Sequence, residues 1–243
     1  MQLVEATWPE ADASETRLAV LPVGSTEQHG PHAPLGTDSL AAAAIADGGV
    51  ERSDHDAVVA PSIPVGVAEE HRGFAGTLWV SPGAFRSYVR ETIESLAAHG
   101  WTRVVVVNGH GGNVAALDEV CSRLGRDGTA DAVAFTWFDA IDLDELGVGM
   151  GHAGPVETSL LRRLRPELVD EAEFDRAAAG GADRWGEWVG GVDLAHDSDT
   201  FTTSGAVGDP RESNTELGAR LYDAATDRLA TLLDAVATRL PGN

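Results

Sequence analysis

Short apolar runs alternate along this chain with stretches whose apolar residues recur at helical spacing. Residues 17–23 are apolar after the arginine and stop at Gly24, the pattern of a buried strand. Residues 25–37 are polar and read as a long loop. Asp38 can then cap a helix through the alanine-rich stretch to Ala46. Residues 57–65 predict a second strand, shortened by Pro61 and Pro64, and residues 76–80 a third, short one. Ser81 and Pro82 suit the N-cap and first turn of a helix to Ala98, with Gly100 as its stop. Residues 103–107 carry the strongest strand signal, being wholly apolar after Arg103, as a parallel strand covered on both faces requires. Then come a predicted helix at 113–124, a strand at 132–138 and a helix at 155–164 that opens on proline. A Gly- and Trp-rich loop at 180–199 and a long terminal helix at 212–240 complete the pattern.

Strands alternating with helices predict an α/β fold with a mostly parallel sheet. We find no internal repeat and no linker, so residues 1–243 read as one domain. In such sheets ligands bind beyond the carboxyl ends of the strands, and two chemically dense segments fall there.

Charge narrows the partners. The chain has 39 acidic and 17 basic residues, every base is arginine, and the net charge is −22. Nucleic acid and anionic membrane surfaces would repel it. Disorder is the wrong reading for a chain that is 43% hydrophobic. A folded protein with an acidic surface adapted to high salt fits better, since screening removes the self-repulsion. The single Cys121 cannot form an internal disulfide and suits a buried helix position. No signal peptide and no bilayer-length apolar run is evident, so a cytoplasmic protein is expected.

Three segments carry the chemistry. The first is Gly24-Ser25-Thr26-Glu27-Gln28-His29-Gly30-Pro31-His32, with Asp38 beyond it. Glu27 and His29, one residue apart, can point the same way from an extended loop, and imidazole with carboxylates suits zinc, manganese or iron. The second is Asn108-Gly109-His110-Gly111-Gly112-Asn113, directly after the strongest strand. It lacks the Lys-Ser/Thr of a P-loop and the dinucleotide fingerprint. A histidine between glycines has little packing purpose, which favours a ligand. The third is Gly151-His152-Ala153-Gly154-Pro155-Val156-Glu157. Glu157 suits the dipole of the helix it begins, and His152 suits a general acid that protonates a leaving amine; spacing leaves both roles open. Trp185 and Trp188 are read first as packing residues and second as the lining of a pocket.

Those blocks, with Glu70-His71, Phe74-Ala75-Gly76-Thr77 and Gly208-Asp209-Pro210 in the same order, make the chain resemble the creatininase family of amidohydrolases over about residues 18–210. The resemblance implies a three-layer α/β/α sandwich, a binuclear divalent-metal site and frequent homo-oligomers, often hexamers. It implies that Glu27 and His29 ligate separate metals, that Asp38 bridges them, that His110 is a further ligand and that His152 assists protonation. Creatininases also carry a glutamate two residues after the histidine of the Asn-Gly-His block. Here that residue is Gly112. The second metal then takes another carboxylate, for which Glu157 is the candidate, or is weakly held.

His32, His71, Gly111 and Asn113 are the remaining candidates, as substrate contacts, and Arg72 or Arg211 could offer local positive charge. The Gly112 departure argues against creatinine as substrate. The expected activity is hydrolysis of a small-molecule C–N bond by an activated water, first a formamide or cyclic amide, as in the deformylase of flavin and deazaflavin biosynthesis. The alternatives are a peptidase trimming a short modified peptide of mycofactocin type, a creatinine amidohydrolase and a non-catalytic metal-binding homologue.

Overall fold

A computed structural model describes residues 1–239. In chain order it contains α1 (Trp8–Asp12), β1 (Leu18–Val23), α2 (Thr37–Arg52), β2 (Val58–Val59), α3 (Pro82–Ala98) and β3 (Arg103–Asn108). There follow α4 (Val114–Arg126), β4 (Asp131–Thr136), α5 (Pro155–Leu164), α6 (Phe174–Gly180), the short strands β5 (Trp188–Val189) and β6 (Val192–Asp193), and α7 (Thr215–Thr238).

The central sheet has the order β2-β1-β3-β4 and all its pairs are parallel. Period-two alternation divides its side chains between two cores. Ala19, Leu21, Val23, Val104 and Val106 meet Phe85, Val89 and Ile93 of α3 and Leu117 and Leu124 of α4. Leu18, Val20, Val105 and Val107 meet Ile45 of α2, Leu160 of α5, and Leu221, Leu229 and Leu233 of α7. The result is the three-layer α/β/α arrangement. Truncating any of these large side chains to alanine costs about 2–5 kcal/mol.

The chain leaves β1 to one side, toward β2, and returns on the other side as β3. The strand order therefore reverses between β1 and β3, which opens a crevice at their carboxyl ends.

Some elements differ from the sequence pattern. α2 starts at Thr37, with Gly36 at the N-cap, and Asp38 is buried in its first turn rather than capping it. α2 also runs past Ala46 through Gly48 and Gly49. A Cβ at these positions would run into Tyr222 and Leu229, so the glycines let α7 approach closely. The strand expected at 57–65 shrinks to two residues because the prolines interrupt the ladder. Residues 76–80 make only an isolated bridge, Thr26 to Leu78. β4 ends at Thr136, two residues before the expected limit. α7 begins after Asn214, whose side chain accepts from the Leu217 N–H at 2.8 Å, and the expected last residue, Leu240, lies outside the described residues. Among the described residues no helix is long and apolar enough to cross a membrane.

Candidate functional site

The crevice gathers side chains from five separated segments. Glu27 and His29 come from the loop after β1, Asp38 from the first turn of α2, and His110 from the turn after β3. His71 ends a 3-10 turn, His152 precedes α5, and Glu157 lies in the first turn of α5. Glycines make this convergence possible. A Cβ at Gly109 would run into the Asp38 backbone, and one at Gly24 would stand 2.5 Å from the Ser39 nitrogen. Two asparagines then lock the β3 turn. Asn108 donates to the His110 carbonyl at 2.8 Å and accepts from the His110 N–H at 3.1 Å. Asn113 accepts from the Val67 N–H at 3.0 Å and donates to the Gly24 carbonyl at 3.1 Å.

Backbone acceptors fix the histidines. His110 Nε2 donates to the Val67 carbonyl at 2.7 Å, so its Nδ1 lone pair faces Glu27 Oε2 at 3.0 Å and Asp38 Oδ2 at 3.2 Å. His29 Nδ1 donates to the Glu27 carbonyl at 3.2 Å, so its Nε2 lone pair faces Asp38 Oδ1 at 3.1 Å and Glu157 Oε2 at 3.8 Å. Asp38 thus offers one oxygen to each histidine, the disposition of a bridging carboxylate. Glu157 Oε2 also accepts from the Ala153 N–H at 2.6 Å. Both readings of Glu157 are therefore compatible: it serves the helix terminus and faces the cluster. Ala153 itself holds φ 52°, the left-handed region, next to His152.

The electrostatics show an under-compensated site. Burial is the largest influence on His29 and opposes its charge, yet Asp38 and Glu157 together hold its pKa well above the usual value. Burial likewise opposes charge on His110, and Glu27 and Asp38 overcome it. Burial pushes the Glu27 carboxyl up to about 7, with Asp38 adding to the rise. Asp38 lies below its usual range because His29 and His110 outweigh its burial. His152 falls to about 4 through burial and the neighbouring His29.

The residues fit a divalent metal. Glu27 Oε2, His29 Nε2 and Asp38 Oδ2 are buried without a hydrogen-bond partner. His29 Nε2 and His110 Nδ1 stand 3.0–3.2 Å from carboxylate oxygens of Asp38 and Glu27, an arrangement that a bound cation or an added proton must bridge. Among the described residues, three groups have ligand atoms within 4.8 Å of one another: Glu27, Asp38 and His110; His29, His152 and Glu157; and Glu27, His71 and His152.

A cavity of about 690 Å³ opens over this cluster. Phe138, Met150 and Trp185 give it apolar walls, and Asp183, Arg184 and Glu212 stand among its lining residues. His71 and Gly111 line it as well, and so do Glu27, His110, His152 and Glu157. His32 and Asn113 do not. His32 is buried against Phe174 and pairs its Nε2 with the Thr158 hydroxyl at 3.0 Å, and Asn113 pins loops behind the wall. Arg72 and Arg211 are engaged by Asp197 at 2.7 Å and Asp209 at 2.6 Å, so Arg184 is the arginine at the cavity. Of the two tryptophans, Trp185 lines the cavity and Trp188 is exposed. Gly112 is crowded: a Cβ there would run into the Val67 carbonyl and stand 2.8 Å from Glu70 Oε1. Gln28 received no role from the sequence, although it contacts both His71 and His152. Its place inside the densest motif was the available signal.

Comparison with known proteins supplies the context. The family described as "Creatininase: Creatinine amidohydrolase" matches residues 4–233. The chain is 37% identical over 219 residues to the mycofactocin precursor peptide peptidase of Mycolicibacterium smegmatis, covering 84% of this chain and 79% of that protein. It is 30% identical over 190 residues to the creatinine amidohydrolase of Pseudomonas putida, covering 68% and 72%. Among solved structures, a zinc–zinc form of a creatininase mutant superposes with a TM-score of 0.79 at 25% identity, covering 98% of each chain. A manganese form of creatininase gives a TM-score of 0.79 at 25% identity, covering 98% of this chain and 99% of that one.

Proposed function

The chain belongs to the creatininase family of metal-dependent hydrolases, and from that premise we propose that it hydrolyses an amide bond in a short modified peptide. The observation that carries this reading is its 37% identity to a mycofactocin precursor peptide peptidase across 84% of the chain. The open cavity of about 690 Å³, walled by Phe138, Met150 and Trp185, supports it, being of the size that holds a drug-sized ligand. We accordingly put the peptide ahead of the formamide or cyclic amide that the motifs alone favour.

Two divalent ions, zinc, manganese or iron, complete the proposed site. Glu27, Asp38 and His110 would hold one, and His29, Asp38 and Glu157 the other, with Asp38 shared. When bound, such ions lower the pKa of water toward neutrality and draw negative charge off an amide oxygen. Glu157 answers the glutamate missing at Gly112. His152 is kept for the proton: its Nε2 donates to the Gln28 carbonyl at 2.8 Å, which leaves the Nδ1 lone pair facing the cavity, 3.8 Å from Glu27 Oε1. A neutral His152 takes a proton from the attacking water and gives it to the departing nitrogen. Trp185 stands edge-on to His152 at 5.9 Å and limits solvent around that transfer. A cytoplasmic, salt-adapted homo-oligomer is part of the same proposal.

The test is direct. Protein purified in high salt is assayed for bound metals by elemental analysis. It is then incubated with a mycofactocin-type precursor peptide, a formamide panel and creatinine, with products followed by mass spectrometry. Metal-dependent cleavage of the peptide is expected. Turnover of a formamide with the peptide left intact would reject the peptidase reading, and inertness toward all of them would reject the hydrolase.

A further inference from the structure

Four histidines surround the cavity floor, and three of them turn a lone pair inward. Gln28 decides the fourth. Its side-chain oxygen accepts from the Gly30 N–H at 2.9 Å, and its side-chain nitrogen donates to the Gly205 carbonyl at 3.0 Å. One of those partners can only donate and the other can only accept, so the amide cannot be turned over. The same nitrogen lies 3.0 Å from His71 Nδ1 and 2.9 Å from His152 Nε2. His152 Nε2 already donates to the Gln28 main-chain carbonyl at 2.8 Å and cannot also accept. The Ser198 hydroxyl also lies 3.1 Å from His71 Nδ1, but it donates to the Glu70 carbonyl at 3.1 Å, and a hydrogen on Nδ1 shared with it would stand against the Gln28 N–H, so the second amide hydrogen of Gln28 goes to His71 Nδ1. His71 consequently carries its own hydrogen on Nε2, the nitrogen that faces the cluster 3.4 Å from Glu27 Oε1.

We infer that His71, held in this tautomer by Gln28, is a hydrogen-bond donor to the amide oxygen of the bound substrate and not a metal ligand. This rests on the hydrolase reading above. A metal ligand needs a lone pair on the nitrogen it presents, and His71 presents an N–H. The ring is held in plane from two sides, stacked on His152 at 4.4 Å and edge-to-face with Trp185 at 5.4 Å. His71 is nearly inaccessible yet lines the cavity, so its N–H acts where little water competes. Gln28 is a positioning residue, and Gly205 leaves room for it: at φ 86° and with no Cβ, it lets the amide pack against the backbone. Of the three candidate metal groups, the one made of Glu27, His71 and His152 then holds no ion.

Three variants test this: His71→Phe removes the donor, His71→Gln restores one at similar reach, and Gln28→Glu offers an acceptor that forces the hydrogen onto His71 Nδ1. Zinc stoichiometry should equal the wild type in both His71 variants. On whichever amide the wild type cleaves, kcat should fall roughly 100-fold in His71→Phe, within the range for loss of one oxyanion donor, and recover to within about tenfold of wild type in His71→Gln. Long-range ¹⁵N–¹H spectra of histidine-labelled, zinc-loaded protein should show His71 with hydrogen on Nε2, and on Nδ1 in Gln28→Glu. Loss of one zinc equivalent in both His71 variants, an Nδ1–H signal in the wild type, or equal kcat in all forms would overturn the inference. Because the spectra and the zinc count need no turnover, they test His71 even if the chain cleaves nothing and the hydrolase reading fails.

Discussion

The floor and the roof of the cavity are built on opposite terms. The floor, Glu27, His29, Asp38 and His110, is at most 4% exposed, and each histidine nitrogen is directed by a backbone carbonyl. The roof, residues 181–199, is rich in glycine and carries Trp188, Val189, Val192 and Leu194 at 48–60% exposure on a two-residue hairpin. Chemistry that needs atoms placed within tenths of an ångström is carried by short turns tied to strand ends. Choice of substrate can tolerate looser walls. The two regions should therefore fail differently when altered.

The largest effect belongs to the floor. His110→Ala should remove bound metal and bring hydrolysis to background, beyond the roughly 10–100-fold that loss of an outer partner costs; elemental analysis with a turnover assay checks it. Full metal and full rate would remove His110 from the site. His152→Ala, at the border of floor and roof, should lower kcat roughly 10²–10⁴-fold while metal content stays normal. A matching loss of metal would make His152 a ligand.

Gly112→Glu asks whether the absent carboxylate can be put back. Crowding against the Val67 carbonyl and Glu70 predicts that it cannot. A loss of about 1–3 kcal/mol in unfolding free energy is expected, with reduced activity. A stable variant with higher metal affinity would refute that account. Trp185→Ala tests the roof where it meets the floor: KM should rise about tenfold, or about 1.4 kcal/mol of binding, and kcat should fall as His71 and His152 lose their ring contact, with metal content unchanged. A change confined to kcat would instead place Trp185 in the chemistry. The smallest effect is expected at Cys121, away from both regions. Burial, aided by Asp118, pushes its thiol up to about 12, so it stays protonated at neutral pH. Iodoacetamide at pH 7 should leave the folded protein unmodified, and rapid labelling would show that α4 opens.

The strongly patterned elements were legible in sequence. β1, β3, α3 and α5 were located within a residue or so, because each buries a continuous or periodic apolar surface and has its own terminal signals. The short pieces were not. β2 keeps two residues of nine expected because prolines break it, and the six-residue extension of α2 from Ala46 to Arg52, through its glycines, depends on α7 lying against them. The residues of the cluster could be named from their motifs. His32 and Asn113 share those motifs yet face away from the cavity, since a motif records which residues travel together and not which way each side chain turns.

The sequence determined the α/β class through its periodicity, the family through the resemblance of its motifs, and the set of imidazoles and carboxylates available for a metal. Only the tertiary structure decided that Asp38 stands between His29 and His110, that Glu157 takes up a position beside them, and that His71 shows the cavity a hydrogen rather than a lone pair. The reason is physical: ligand chemistry is a property of residue type, whereas the direction of a lone pair is set by distant backbone groups such as Val67 and Gly205 that no local pattern reveals.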